Sequence, residues 1–534
     1  MTASINFSAG TTVTSTWLNA VDAATFDYVA NPLLFGATGD GTTDDSTALT
    51  DAVATGKPVY LPKGYTFATT GNITGFVDNQ VVFGGGKIKK IGATVQPMVL
   101  VPDEVEGVRF DNIEFDGNRT LFSFGHAVPA IAGYLLPSLI VTNCYFHDIV
   151  DGGIKLRDCA NLIAIGNRFI DIWENGIELR NYNVDVRTGS AYTGTRPTVQ
   201  GNHQIIGNHI EKVTRLEDAG TGLVDACGVF FAGSSSYPIK GITIQGNVFL
   251  DCLRHIFTEN NDAGSEALDV SIVGNTFRGS VYGLAALSYG KCAIGIIGAK
   301  QVTIAKNTIR NPANYTPIGT DTAGIILSSS YPTTQNYDVL IEGNTIIDDT
   351  GATDRIKYGI NVNSGNRVTV RNNTVSGAST LQIRYDSSYT FDVLLEGNVS
   401  AETTYSWGNL ITVPFTKSNI AASATTALNP YGWTDDTKFV LPVSGKLVGV
   451  SARSSAAFTG TITVTPYSAG NPATNLIFTQ ADFTSQNAYK RVTSVDGQQT
   501  NAGEELRVDV TTNGAFTNTH DILVVLFIDA GWVI

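Results

Sequence analysis

The chain is poor in charge. Only 15% of its 534 residues are Asp, Glu, Lys or Arg, while 43% are hydrophobic. That balance excludes a disordered polyelectrolyte and supplies a large core. Basic residues are the scarcer sign: 34 Lys and Arg stand against 48 Asp and Glu, for a formal net charge of −14. With no sustained basic stripe, nucleic acid is not an expected partner. An acidic surface also repels anionic membranes, and it steers an acidic polysaccharide poorly unless the binding groove is locally basic. Cysteine is sparse. Cys144, Cys159, Cys227, Cys252 and Cys292 are odd in number and follow neither CxxC nor zinc spacing, so buried free thiols are expected. No secretory h-region opens the chain. The longest apolar run, ILVVLFI at 522–528, is far too short to span a bilayer, so no membrane partner is expected. EF-hand loops and zinc motifs are absent, and neither a cofactor nor a metal is expected.

What is present is a repeat. A short aliphatic strand, a turn ending in Asn and a second apolar strand recur as VRFDNIEF, LIVTNCYF, LIAIGNRF, HQIIGNHI, ITIQGNVF, VSIVGNTF, VTIAKNTI, VLIEGNTI, VTVRNNTV and VLLEGNVS. The recurring residues are Asn112, Asn143, Asn167, Asn208, Asn247, Asn275, Asn307, Asn344, Asn373 and Asn398, about 32 residues apart on average. A further strand follows most of them: GGIKL, NGIEL, CGVFF, YGLAA, AGIIL and YGINV. Such a unit cannot bury its apolar side alone. Stacked, the units close one long core as a parallel β-solenoid of about ten coils, roughly 50 Å long at ~4.8 Å per rung. Gly-Asn suits a left-handed turn position, and stacked asparagines can hydrogen-bond as a ladder. A βαβ fold fits less well, because the connecting segments lack a helical apolar period.

The flanks differ from the repeat. Residues 1–30 form a connector whose Trp17, Leu18, Val21 and Ala24 suit a short helix. Residues 31–105 read as a capping region with a second short helix. There Asp44, Asp45 and Ser46 serve as cap and first-turn acids for STALTDAVATG, closed by Gly56. The acids Asp40, Asp44 and Asp45 are read as capping groups in preference to metal ligands. The solenoid covers 106–400. Residues 401–430, low in charge, read as a linker. Residues 431–534 alternate short strands with turns and are expected to form a β-sandwich.

LLFGATGDGTTDDSTALTDAV…GKPVYLPKGYTF is similar to the motif that opens many pectate-lyase-like β-helix proteins, bacteriophage tailspikes included. GTTVTSTWLNAVDAATFD resembles a segment common just ahead of it in phage tail proteins. Together with the coils and the terminal sandwich, essentially the whole chain resembles a tailspike. The resemblance implies an all-β, right-handed parallel β-helix assembled as a homotrimer on the virion. It further implies attachment through a tail or adaptor protein, and a polysaccharide depolymerase binding capsule or O-antigen at the bacterial cell surface. The C-terminal domain of such proteins commonly drives trimerisation or binds sugar. The longest tailspikes carry a large N-terminal particle-binding domain that this sequence lacks, through truncation or through use of an adaptor.

Glycoside hydrolysis needs two carboxylates flanking the bond, so successive coils were aligned on an inward residue. Ile154, Ile177, Val229 and Ile256 fall in register. Strict alternation then points Lys155, Glu178, Phe230 and Phe257 outward, followed by Arg157, Arg180, Ala232 and Glu259. Asp151, Trp173 and Asp225 stand just before these strands. The two longest repeat intervals, Asn167 to Asn208 and Asn208 to Asn247, add long loops at the same place, where sites concentrate. The expected catalytic carboxylates are Glu178, Asp225 and Glu259, with Glu217, Asp218 and Asp262 behind them. Trp173, Arg180, Phe230, Tyr182, His255 and Arg157 are expected to bind substrate, aromatics stacking on sugar faces and arginines pairing with acidic sugars. Glu174 and Glu178, four residues apart in one coil, are not expected to pair. A lyase on the same scaffold would use His255, Arg180 or Lys155 as base, with calcium then of importance. A non-cleaving sugar-binding fibre and a purely structural solenoid are further alternatives. His147, His203 and His209 are read as structural.

Overall fold

The computed structural model describes residues 28–122, 128–181, 201–213, 226–234, 237–260, 266–279, 292–312, 322–328, 336–349, 356–385, 390–400, 410–430, 438–440, 445–454, 459–468, 471–472, 476–479, 487–491, 499–500, 505–514 and 520–529. The chain divides into two compact units, Met1–Leu394 and Leu395–Ile534.

The first unit is a right-handed parallel β-helix. A full coil contributes one strand to each of three parallel sheets, of 13, 12 and 10 strands, the ten-stranded sheet starting later in the chain, and each strand pairs with its counterpart one coil away. One coil shows the order: Leu162–Ile165 in the 12-stranded sheet, Arg168–Ile172 in the 13-stranded sheet, then Asn175–Arg180 in the ten-stranded sheet. Side chains alternate, so Leu162 and Ala164 enter the core while Ile163 and Ile165 do not. Inward phenylalanines stack along the axis, Phe115 on Phe146 at 4.8 Å and Phe146 on Phe169 at 4.6 Å. All five cysteines are buried and free, as expected.

The asparagine ladder is present, and it starts later than the repeat suggests. Asn167, Asn208, Asn247, Asn275, Asn307, Asn344 and Asn373 hydrogen-bond from one coil to the next at 2.9–3.0 Å. Asn247 is typical. Its Nδ2 donates to Asn275 Oδ1 and to the Ile205 carbonyl, and its Oδ1 accepts from the Asn208 backbone and side chain. Asn112 and Asn143 are not members. Their φ values of 57° and 54° place them at the left-handed position that Gly166 and Gly207 fill in later coils, one residue before the ladder. Cys144 stands at the ladder position of its coil and donates its backbone N–H to Asn167 Oδ1. An Asn247→Ala exchange strands buried donors and acceptors on both neighbours. It is expected to cost roughly 2–3 kcal/mol in a urea titration. A loss below about 0.5 kcal/mol would show that the ladder contributes little.

The parallel sheets begin before residue 106. Strands Asp40–Asp44 and Val59–Tyr60 already head two of them, so much of the expected capping region is β-helix. The expected helix forms at Ser46–Ala54. Asp44 accepts from the Ser46 backbone, while Asp45 turns away and accepts from Thr38, Gly39 and Ala68. The acids thus tie the first coil together. The N-terminal connector helix falls outside the described residues.

The second unit holds two antiparallel sheets of six strands that share one core, including Val413, Phe415, Val450, Val464, Val508 and Val524. The 401–430 linker is corrected here. Leu410–Ile420 is a long strand paired along its length with His520–Asp529, because alternating Val413 and Phe415 fit the shared core. The hydrophobic strand His520–Asp529 is flanked on both sides, by Leu410–Ile420 and Gly445–Ser454. It is therefore not a bare edge open to aggregation.

Candidate functional site

The site lies on the outer side of the ten-stranded sheet, at strands Ile154–Arg157 and Asn175–Arg180. The alignment holds there: Lys155 pairs with Glu178 and Arg157 with Arg180. Phe230 follows Glu178, and Phe257 follows Phe230. Ile154, Leu156, Ile177 and Leu179 fill the core beneath, so the four charged side chains are anchored in rigid strands.

Lys155 organises the cluster. Its Nζ lies 2.6 Å from Asp151 Oδ1, 3.6 Å from Glu174 Oε2 and 3.6 Å from Glu178 Oε2. Arg157 Nη2 and Arg180 Nε approach Glu178 Oε1 at 2.7 and 2.8 Å, and Asn175 Nδ2 donates to Glu178 Oε2 at 3.1 Å. The Arg180 guanidinium lies over the Phe230 ring at 4.3 Å. Trp173 packs against Phe122, Val128 and Val150, and Arg119 lies over its ring at 5.2 Å. Glu174 and Glu178 are therefore brought together after all, joined through Lys155 from the coil before.

Three carboxylates converge here as in a divalent-cation site, but the Lys155 ammonium already stands among them. Their protonation states diverge. Burial raises the Asp151 carboxyl well above its ordinary value, and its hydrogen bond with Glu174 adds to that rise against the pull of Lys155. Burial alone would also raise Glu174, but the same hydrogen bond and Lys155 outweigh it and lower the group. The shared hydrogen bond thus pushes the two groups in opposite directions, Asp151 up and Glu174 down. Glu178 is only 1% exposed. Burial opposes its ionisation, yet Arg157, Lys155, Arg180 and Asn175 together hold it at about 2. Lys155, surrounded by acids, is raised in spite of burial and stays charged.

Sequence reasoning missed the Asp151–Glu174 pair by one residue. Both stand three positions before an aligned inward residue, Ile154 and Ile177, on neighbouring rungs. The Glu174 backbone N–H donates to the Asp151 carbonyl. Trp173 is one position earlier and does not match Asp151. Counting from the inward isoleucine would have exposed the pair.

Two substrate-binding expectations are corrected. Phe230 is 2% exposed and packs with Cys227, Phe257, Cys292 and Ile326, so it is no open stacking platform. His255 is wholly buried and faces inward, edge-on to the Phe249 and Phe277 rings. Its expected role in substrate binding needs an outward side chain, which it does not have. The chain bends at this rung position, which Gly153, Gly176 and Gly228 fill in preceding coils. A Cβ on Gly228 would stand 2.8 Å from Phe249. Glu259 ends the strand Arg254–Glu259, two rungs beyond Arg180 in register. Asp225, Tyr182, Glu217, Asp218 and Asp262 lie outside the described residues.

His255 carries a pH consequence. Burial lowers its imidazole from 6.5 to about 4, against an opposite effect of the Arg278 and Gly279 backbones. The folded state stays neutral where the unfolded chain takes up a proton, so stability falls as pH drops from 6.5 towards 4. At pH 5 the loss is about 2 kcal/mol relative to pH 7. In His255→Ala, urea midpoints measured between pH 7 and 5 should lose this part of the decline. An unchanged decline would exclude His255 as its source.

The right-handed β-helix region family matches residues 198–399. No curated protein matches the chain. Among solved structures, the surface protein and adhesin PfbA of Streptococcus pneumoniae is 13% identical, with a TM-score of 0.47 over 70% of this chain and 98% of its own. The catalytic unit of an alpha-1,3-glucanase from Streptomyces thermodiastaticus is 15% identical, with a TM-score of 0.43 over 71% and 70%. The tailspike protein of E. coli bacteriophage HK620 is 12% identical, with a TM-score of 0.38 over 95% and 94%.

Proposed function

We propose that the chain is a phage tailspike that binds a bacterial surface polysaccharide, capsule or O-antigen, and hydrolyses it on the outer side of the ten-stranded sheet. The observation that carries this reading is the Asp151–Glu174 pair, two hydrogen-bonded carboxyls on adjacent rungs with their protonation pushed apart. Paired groups of this kind divide acid and base roles. Asp151 donates its proton to the glycosidic oxygen as the C–O bond breaks. Glu174 stays ionised beside it and stabilises the positive charge that develops on the sugar.

The pair is too close for a water to fit between its members, which inverting hydrolysis needs at about 6.5–9.5 Å. The base that activates water is therefore assigned to a following rung. Asp225 is proposed, because it directly precedes Ala226, which is hydrogen-bonded to the strand after it through Arg254 N–H. Glu259 is the alternative. Glu178, as buried as Asp151 but held ionised by three cations, acts as a positioning residue for Lys155, Arg157 and Arg180. The lyase alternative is weakened by two of its three bases: His255 faces the core and Lys155 is held protonated.

The tailspike-like order of motif, solenoid and sandwich supports a homotrimer on the virion tail, joined to a tail or adaptor protein. Sedimentation equilibrium tests it, and a monomer at micromolar concentration would sink it. For the activity, purified capsules and O-antigens are incubated with the protein. Reducing ends should accumulate and chain length should fall, with no unsaturated-uronate absorbance. That absorbance would establish β-elimination instead, and binding without shortening would establish a non-cleaving fibre.

A further inference from the structure

The turns that leave the 13-stranded sheet hold a second opening, some coils away from the Asp151–Glu174 pair. Asp251, Gly279 and Asn311 stand on three successive rungs, each directly after a strand: Val248–Leu250, Thr276–Arg278 and Thr308–Arg310. Their backbone N–H groups donate to the Arg278, Arg310 and Ile347 carbonyls in turn. Their φ values of 51°, 66° and 50° are all left-handed, and Asp148, Asp171 and Lys212 continue the same row through the preceding coils. Of these six residues only Gly279 carries no side chain. The gap is a notch of about 230 Å³, lined by Leu250, Asp251, Arg278, Gly279 and Asn311. From the core side the buried His255 lies against the Arg278 and Gly279 backbones, so the floor of the notch is packed.

The notch holds one group of each sign, and both are available. Among the described residues, neither the Asp251 carboxylate nor the Arg278 guanidinium has an ion pair or a side-chain hydrogen bond. The next rung is an internal control. Arg310 stands in register with Arg278, but its guanidinium is taken by Asp349, whose backbone N–H also donates to Asn311 Oδ1. The lining is neutral in sum and mixed in hydrogen-bonding character: Arg278 donates, Asp251 accepts, and the Asn311 amide still has donors to offer. Leu250, in the outward column that leads to Arg278, adds an aliphatic wall. That combination suits a ring with neighbouring hydroxyls, each able to donate and accept, and an apolar C–H face. An anionic group would meet Asp251. The volume is below the ~300–1,000 Å³ of pockets for drug-sized ligands, so it suits one ring.

We propose that the Gly279 notch is a subsite for one neutral pyranose unit of the polysaccharide, separate from the pair that breaks the bond. Asp251 and Arg278 hydrogen-bond its hydroxyls, and Leu250 packs on its C–H face. The assignment rests on the reading of the chain as a polysaccharide-binding protein, and it names one unit of the substrate. Gly279 lies three rungs from Glu174, counted through Arg168, His209, Val248 and Thr276. At ~4.8 Å per rung the separation along the axis is about 14 Å, or roughly three pyranose units. A glycan running along the solenoid therefore reaches the notch and the Asp151–Glu174 pair together. Seating one particular sugar at Gly279 then fixes which bond of the chain falls at the pair.

The test has two arms. In the first, neutral hexoses, deoxyhexoses and N-acetylhexosamines are added singly to the full-length protein at about 10 mM, because one ring in a shallow site binds in the millimolar range. Saturation transfer from protein to sugar protons is recorded by NMR, and at least one sugar should receive it. Gly279→Asn puts into the notch the residue type that the next rung carries at a left-handed φ, so it fills the space without a forbidden backbone. It should reduce the transfer about fivefold or more, the scale of one or two hydrogen bonds, and Arg278→Gln should do the same. No transfer to any sugar from the unaltered protein, or undiminished transfer in both variants, overturns the notch as a sugar site. In the second arm a printed array of bacterial surface polysaccharides is probed. The members bound should contain the sugar selected in the first arm, and Gly279→Asn should weaken their binding about fivefold. Binding confined to members without that sugar overturns the subsite and leaves the polysaccharide reading in place. Binding to no member overturns the polysaccharide reading, and the subsite with it.

Discussion

Replacing Asp151 by Asn should lower kcat for polysaccharide cleavage by about 10²–10⁴-fold, the usual contribution of a positioned general acid. KM should change little, because Asn keeps the shape of the side chain and Lys155 retains Glu174 and Glu178 as partners. The pH profile distinguishes an acid from a structural group. Cleavage requires Asp151 protonated and Glu174 ionised. Activity therefore falls on the alkaline side as pH passes the raised Asp151 value, and on the acid side as it passes the lowered Glu174 value. Because the two groups share a hydrogen bond, the two limbs belong to the pair and not to either residue. Asp151→Asn should abolish the alkaline limb of whatever activity remains. Glu174→Gln removes the acceptor that shares the proton and should collapse the acid limb. Wild-type turnover in Asp151→Asn would transfer the acid role to another carboxylate, with Glu259 and Asp225 next in line.

The solenoid could be read from the sequence because its signals are local and repeated. Each coil restates the same alternation and the same tight turn, so ten weak patterns reinforce one another. The Lys155–Glu178 and Arg157–Arg180 registers followed from counting along that repeat, and the structure reproduces them. Two errors came from reading residue type without the local backbone. Asn112 and Asn143 were aligned on residue type when their backbone belongs to the preceding left-handed position. His255 was expected to bind substrate, although it stands in the glycine row, where the side chain faces the core. The alignment of Asp151 with Glu174 could have been counted from Ile154 and Ile177, but its chemistry could not. That chemistry depends on burial, which leaves Asp151 1% exposed. Burial cannot be counted from residue letters. Nor could the sequence tell that Glu178, the first choice as catalyst, would be submerged beneath its own cations.

That submerged position makes Glu178 the residue whose loss should cost most in stability. It is the common counter-ion of Lys155, Arg157 and Arg180. Truncating one partner of a buried ion cluster leaves uncompensated charge in a poorly hydrated place, at a cost of about 3–5 kcal/mol. Glu178→Ala should therefore lower the urea midpoint of the β-helix sharply at pH 7. Linkage gives an independent measure. The folded value, about 2, lies below the model-peptide value of 4.5. The carboxylate thus contributes stability that is complete above pH 4.5 and is lost as pH falls towards 2. At about 1.36 kcal/mol per pH unit, the contribution is on the order of 3 kcal/mol, consistent with the truncation estimate. This window lies below most of the His255 window, so the two can be resolved in one series of titrations. Wild type should show a decline from 6.5 to 4 that His255→Ala reduces by about half, buried His203 being lowered to about 4 as well, and a second decline from 4.5 to 2 that Glu178→Ala removes. Glu178→Gln separates shape from charge. It preserves packing and the Asn175 contact, and it should still lose the lower decline. If Glu178→Ala matches wild type at pH 7 and retains the lower decline, the three cations are held by Asp151 and Glu174 without it, and its role as their anchor is wrong.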